Sequence, residues 1–281
     1  MLTKKIFTVV TLGFLTIGLN GVNGDTSSID VSQSQEQTDR RGCFYVGAFG
    51  GGGGFSVSNF TQSTTKYSSA SQGGTVHVSA YGGGKTAGVG MVGVQIGYLW
   101  PEWENHSPKP HFFSRLRFAT EFEGYYLGTK ISRYLNTGYA TFISTYPING
   151  GALLGSFLCN FAKNEDLGLG LFLGAAAGTS VLTSYNASSY QIDPAEPGIN
   201  HFNTKPTATA WTFAAQGKLG LTYDVTEHFK LTGEYRFLYL TPAKLTYGST
   251  DYPTHAPTSS WTVKLGNMFV NMGDIGLTYT F

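Results

Sequence analysis

Between Phe112 and Tyr126 the chain reads FFSRLRFATEFEGYY, and its residues sort by parity. Phe112, Leu116, Phe118, Phe122 and Tyr126 fall on even positions, whereas Arg115, Arg117, Glu121, Glu123 and Tyr125 fall on odd ones. Successive side chains of a strand point to opposite faces, so the segment predicts a β-strand with one apolar and one charged face. FKLTGEYRFLYL repeats the scheme, with Phe229, Leu231, Tyr235, Phe237 and Tyr239 opposite Lys230, Thr232, Glu234 and Arg236. WTFAAQGKLGLTYD sets Phe213, Ala215, Leu219, Leu221 and Tyr223 against Thr212, Gln216, Lys218, Thr222 and Asp224. In GVGMVGVQIGYLW, Val92, Val94, Ile96, Tyr98 and Trp100 oppose Gln95 and glycines.

Runs at 43–57, 149–161 and 169–183 predict three further strands with less distinct facing. The last run, WTVKLGNMFVNMGDIGLTYTF, places Trp261, Val263, Leu265, Phe269, Ile275, Leu277, Tyr279 and Phe281 on one parity and predicts a single strand over 261–281. That makes eight. Their connections alternate: short around 101–110, 162–168 and 225–229, long over 58–87, 127–148, 184–208 and 241–260. The alternation puts every short turn at one end and every long loop at the other. A sheet that is apolar on one face and charged on the other crosses a bilayer only when closed, because hydrocarbon offers nothing to an unpaired edge. The expected fold is therefore all-β: a closed antiparallel up-and-down transmembrane barrel with four long extracellular loops and short periplasmic turns. On that reading Phe118, Phe237, Ile275, Leu277, Tyr279 and Phe281 face lipid, and Tyr98, Trp100, Phe112, Tyr223, Phe229 and Phe281 form an aromatic girdle near the short-turn end.

Composition sharpens this picture. Charged residues make up 12% of the chain, half the usual share of about 25%, beside 38 Gly, 17 Tyr and 20 Phe. Few charges with many aromatics imply a large non-aqueous surface; a soluble β-sandwich would carry more Lys and Glu outside. Residues 1–24, with Lys4 and Lys5 before an apolar run from Ile6 to Leu19, read as a signal peptide. Residues 25–42 read as a disordered periplasmic leader, and 43–281 as the barrel. Of 18 Lys and Arg, the 16 that remain beyond residue 24 meet 17 acids, so nucleic-acid binding has no electrostatic support.

FYVGAFGG, VGVQIGYLW, ATEFEGYYLG, LTYDVTEHFKLTGEYRF and the closing GLTYTF resemble the eight-stranded outer-membrane barrels of Gram-negative bacteria, the family of OmpA membrane domains and opacity-type surface proteins. The resemblance covers 43–281. It implies an outer-membrane location, contact with outer-membrane lipid, and insertion by the barrel-assembly machinery, which reads a terminal Phe like Phe281 with Leu277 and Tyr279.

An eight-stranded barrel has an interior just wide enough for side chains to fill. Gln95, Arg115, Arg117, Glu121, Glu123, Lys218, Glu234, Arg236 and Asp274 are thus expected to lie close together as a paired polar plug. Across strands, Arg115, Arg117, Lys218, Lys230 and Arg236 balance Glu121, Glu123, Asp224, Glu234 and Asp274, whereas an ion-selective lining carries one dominant sign. The long loops are rich in Tyr, Ser, Asn and Gly, suited to recognition of a host or environmental ligand. Two other readings stand beside this surface protein or adhesin: a small porin or ion channel of ten or more strands, should parts of the long loops such as TVHVSAY (75–81) be extra strands, and a lipid-modifying enzyme using His77, His201 or His255. These histidines show no nucleophile–base spacing, and no catalytic residue, metal ion or cofactor is expected. The glycines at 50–54 lack the Lys-Ser/Thr of a phosphate loop and read as close packing in the first strand. Cys43 and Cys159 are expected on strands that are not neighbours, and so unbridged.

Overall fold

The computed structural model describes residues 42–67, 75–101, 103–104, 115–164, 168–253 and 255–281. The segment expected to be a signal peptide and nearly all of the expected leader, Phe112 and the side chain of Arg115 lie outside the described residues. The strands are β1 (Cys43–Tyr67), β2 (Thr75–Leu99), β3 (Trp103–Glu104), β4 (Arg115–Asn136), β5 (Thr141–Asn164), β6 (Leu169–Ser184), β7 (Ser188–Asp193), β8 (Ala208–Asp224), β9 (Phe229–Leu240), β10 (Ala243–Thr246), β11 (Thr262–Leu265) and β12 (Met268–Thr280). Eight of them form a ring: β1–β2–β4–β5–β6–β8–β9–β12 and back to β1, every neighbour antiparallel. The closing seam runs from Tyr45 opposite Thr280 to Val57 opposite Met268. Phe281 extends it, its amide donating to the Phe44 carbonyl at 3.0 Å.

Facing follows parity through the lower part of the ring. Phe122, Tyr126, Leu219, Leu221, Leu231, Phe237, Ile275 and Leu277 are exposed on the outside, as are Val92, Val94 and Ile96. Phe118 is also outward, stacked on Phe157 with ring centres 5.4 Å apart. Aromatic contacts collect at the short-turn end: Phe44 on Tyr98, Tyr98 on Trp100, Phe229 on Tyr279, and Tyr279 on Phe281.

Glycine makes room for large rings inside. A Cβ on Gly97 would lie 2.3 Å from the Tyr45 ring, and one on Gly53 would lie 1.8 Å from the Asn271 carbonyl oxygen. The glycine run of β1 thus allows close approach to β12, as its composition suggests.

The long connections are corrected by the structure. Most of their residues are not loop. β1 and β2 continue as one hairpin to Tyr67 and Thr75, and β4 and β5 continue to a turn over 137–140. TVHVSAY is strand, but it extends β2 against β1 and adds nothing to the ring. β7 pairs with the upper end of β5, and β11 bridges β10 and β1. Together these form a folded head above the ring.

The single strand expected over 261–281 is also corrected. Gly266 and Asn267 interrupt it, separating β11 from β12. Opposite them Ser58 and Asn59 accommodate the same irregularity, with the Ser58 amide donating to the Asn267 carbonyl and the Gly266 amide to the Asn59 carbonyl. Side-chain parity changes across this step. Phe269, Ile275, Leu277 and Tyr279 stay outward, whereas Trp261, Val263 and Leu265 are fully buried in the head.

Candidate functional site

The lumen is filled in two layers of opposite character. In the lower layer β4, β8, β9 and β12 each send charge inward: Glu121 and Glu123, Lys218, Glu234 and Arg236, and Asp274, all buried. Arg236 lies at the centre, its Nε donating to Asp274 Oδ2 at 2.8 Å and a second nitrogen standing 3.0 Å from Glu234 Oε2. It also pairs with Glu123, and its guanidinium sits 4.0 Å over the Phe49 ring. Lys218 pairs with Glu121 and stands 3.5 Å from Glu123. Neutral donors complete the shell: Ser156 and Gln216 donate to Glu123 at 2.6 and 2.8 Å, and Tyr45 donates to Glu121 at 2.6 Å. Gln95 is buried on the inner face of β2, facing a cavity of about 130 Å³ at the short-turn end.

The five-against-five balance is not what this layer holds. Among the described residues, four buried carboxylates surround two buried cations. Arg117 sits lower, donating to the Trp100 carbonyl at 3.0 Å, and Lys230 stands 3.6 Å from Asp224, both of them half-buried. Tyr45 and Ser156 were not singled out by their sequence. The only signal was inward parity, which a hydroxyl shares with many inert positions.

Above the charged layer the interior is apolar. Phe55, Leu127, Ile131, Leu135, Ile148, Leu154, Leu182, Leu238, Val270 and Met272 are buried in one continuous core that reaches into the head. There Phe202 stacks on Tyr247 at 4.4 Å, Phe60 on Tyr146 at 6.1 Å, and Trp261 meets Phe142 edge-on. A polar knot interrupts it where Gln62 bridges Ser144, Tyr146 and Ser189 at 2.9–3.1 Å. Burial raises the Tyr146 hydroxyl well above its ordinary value, so it serves as a donor. A plug made only of polar groups is therefore corrected: the seal is charge below and hydrocarbon above.

The three loop histidines separate. His77 is exposed on β2, within 3.1 Å of the Thr65 hydroxyl. His201, between β7 and β8, and His255, between β10 and β11, come together with ring centres 5.4 Å apart. Burial, with His255 and Lys66 beside it, pushes the His201 imidazole down to about 4. Both stand near Glu196, at 3.6 and 3.3 Å from its Oε2. Among the described residues no serine hydroxyl is hydrogen-bonded to either imidazole. Cys43 on β1 and Cys159 on β5 are free.

No protein-family model matches the chain, and no curated protein matches it. Among solved structures, Neisserial surface protein A is 13% identical, covering 85% of this chain and 97% of its own, with a TM-score of 0.35. The outer-membrane protein OprG from Pseudomonas aeruginosa is 15% identical over 86% and 97%, with a TM-score of 0.37. The attachment invasion locus protein of Yersinia pestis, solved with the heparin analogue sucrose octasulfate, is 10% identical over 85% and 99%, with a TM-score of 0.27. At such scores the fold assignment rests on the strand ladder alone, and by that ladder the chain has the closed eight-stranded antiparallel architecture of small outer-membrane barrels.

Proposed function

We propose that this chain is an integral outer-membrane protein, non-conducting and non-enzymatic, whose barrel anchors a folded head that meets host or environmental ligands at the cell surface. The observation that carries the reading is the double seal of the lumen beneath a folded head that shares its apolar core. The exposed apolar band matches what hydrocarbon requires of an outer barrel face. A porin needs a water-filled path, and the ring holds eight strands with its centre occupied. A lipid-modifying enzyme needs a nucleophile beside its base, and His201 lies instead against Phe142 and Trp261, with His255 against the His201 ring. The head offers tyrosines to a partner: Tyr81, Tyr134 and Tyr139 are exposed, the last at 96% on the β4–β5 turn. Such side chains supply contact area and a hydroxyl at low entropic cost.

Two measurements test this. In planar bilayers the purified protein gives no stable unitary current, and cells displaying it bind host surfaces in a manner lost in the Tyr134→Ala/Tyr139→Ala variant at equal barrel level. A steady large conductance refutes the sealed lumen. Binding unchanged in the variant refutes the tyrosine surface.

A further inference from the structure

Glu196 and His201 belong to the connection between β7 and β8, and His255 to the connection between β10 and β11. Their ligand atoms all lie within 4.8 Å of one another. His201 and His255 are almost fully buried by side chain. Two walls of the site are aromatic, with Phe142 and Trp261 edge-on or tilted against the His201 ring at 5.2 and 5.3 Å.

The three contacts of the Thr250 hydroxyl are satisfied together by one tautomer of His201, and the proton is assigned on that basis. A hydroxyl donates once and accepts twice. The Thr250 hydroxyl donates to the His201 carbonyl at 3.1 Å and accepts from Trp261 Nε1 at 2.9 Å. Its remaining lone pair faces His201 Nδ1 at 3.3 Å, so Nδ1 is the protonated nitrogen. Nε2 is then a bare lone pair aimed at Glu196, and neither His201 Nε2 nor Glu196 Oε2 has a hydrogen-bond partner among the described residues. A buried lone pair facing a carboxylate oxygen with nothing between them is costly. A cation between them removes the cost.

We infer that Glu196, His201 and His255 form a binding site for a divalent transition-metal ion of the zinc class, which ties two connections of the head together. Zinc holds nitrogen and oxygen donors at about 2.0–2.2 Å, so adjacent corners of its tetrahedron lie roughly 3.3–3.5 Å apart. The two His–Glu distances, 3.3 and 3.6 Å, are close to that spacing. Two imidazoles and a carboxylate suit zinc, copper or nickel and not magnesium or calcium, which prefer oxygen donors. Three protein donors leave one corner for water or for a donor from outside. The hydrogen bond from Nδ1 to Thr250 is the second contact that orients a metal-bound histidine. This inference is independent of the proposed surface role, because it concerns only how the head is held together.

The untagged protein, refolded in detergent micelles and freed of metal with a chelator, is titrated with Zn2+ by calorimetry and with Co2+ by visible absorbance. One Zn2+ binds per chain, the Co2+ form shows tetrahedral bands, and excess Mg2+ displaces neither. Glu196→Gln, which keeps the side-chain shape, and His255→Asn each weaken Zn2+ binding by more than about 100-fold, beyond the loss seen when only an outer contact is removed. Resistance of the metal-free head to limited proteolysis equal to that of the metal-free parent shows that each variant is folded, and Glu196→Gln alone suffices if His255→Asn is not. Absence of Zn2+ uptake by the parent protein, or weakening below tenfold in folded Glu196→Gln, overturns the site.

Discussion

Replacing Arg236 by Met tests the charged seal where it is most concentrated. Arg236 is fully buried and faces three carboxylates, those of Glu123, Glu234 and Asp274. Its removal leaves Lys218 as the one buried cation among four buried acids of the described residues. The lower cavity reaches Glu121 and Glu234, so water can relieve them, but Glu123 and Asp274 do not line it. The cost therefore falls on those two. Breaking a buried pair by deleting one partner costs about 3–5 kcal/mol, because a charge is left uncompensated. Met roughly conserves the apolar stem, and the cation–π contact with Phe49 is lost as well. The assay is urea unfolding in phospholipid vesicles followed by tryptophan fluorescence, with gel mobility reporting the folded fraction. Adding Glu123→Gln to Arg236→Met should recover part of the loss, with a coupling of roughly 1–3 kcal/mol between these contacting residues. A cost below about 1 kcal/mol for Arg236→Met, or strict additivity in the double variant, refutes the reasoning.

Three more outcomes follow from the same geometry. Phe237→Arg places a cation on the outer face of β9 and should cost about 2–4 kcal/mol at the bilayer midplane, read as a lower urea midpoint, while Tyr139→Ala leaves that midpoint unchanged. Gly53→Val drives side-chain atoms into the Asn271 carbonyl, and should sharply reduce the heat-modifiable folded band during assembly, whereas Gly90→Val, with open space around its Cβ, should not. Phe202→Ala empties the centre of the head's aromatic cluster and should cost about 3–5 kcal/mol there. Limited proteolysis should then cut the head faster than in the parent protein while the barrel band persists.

The ring was legible because lipid imposes a simple rule, apolar outward and polar inward, and residues 121–126 of β4, 216–223 of β8 and 229–237 of β9 obey it. The head was not, because the rule reverses where the strand enters water. Along β4 the outward residues are Phe118, Phe122 and Tyr126, then Lys130, Ser132 and Asn136. The inward residues change in the opposite sense, from Glu121 and Glu123 to Leu127, Ile131 and Leu135. A search for outward apolar positions sees the pattern vanish near residue 127 and reads a loop. The strand had continued, with its apolar face moved to the other parity. The same reversal explains the closing segment, where Gly266 and Asn267 shift parity and the apolar residues on either side face different surroundings. Glu196, His201 and His255 come from two connections joined only by tertiary packing, and no local spacing announces their meeting.

The central claim is that the odd-numbered face of β9 looks into hydrocarbon. With Cys43 and Cys159 changed to Ser, single spin labels at consecutive positions from 231 to 239 in the vesicle-inserted protein measure collisions with oxygen, which concentrates in lipid, and with a water-soluble nickel chelate. The account predicts alternation, with oxygen dominating at 231, 233, 235, 237 and 239 and both reagents excluded at 234, 236 and 238. Nickel access to the odd positions, or no alternation at all, contradicts it.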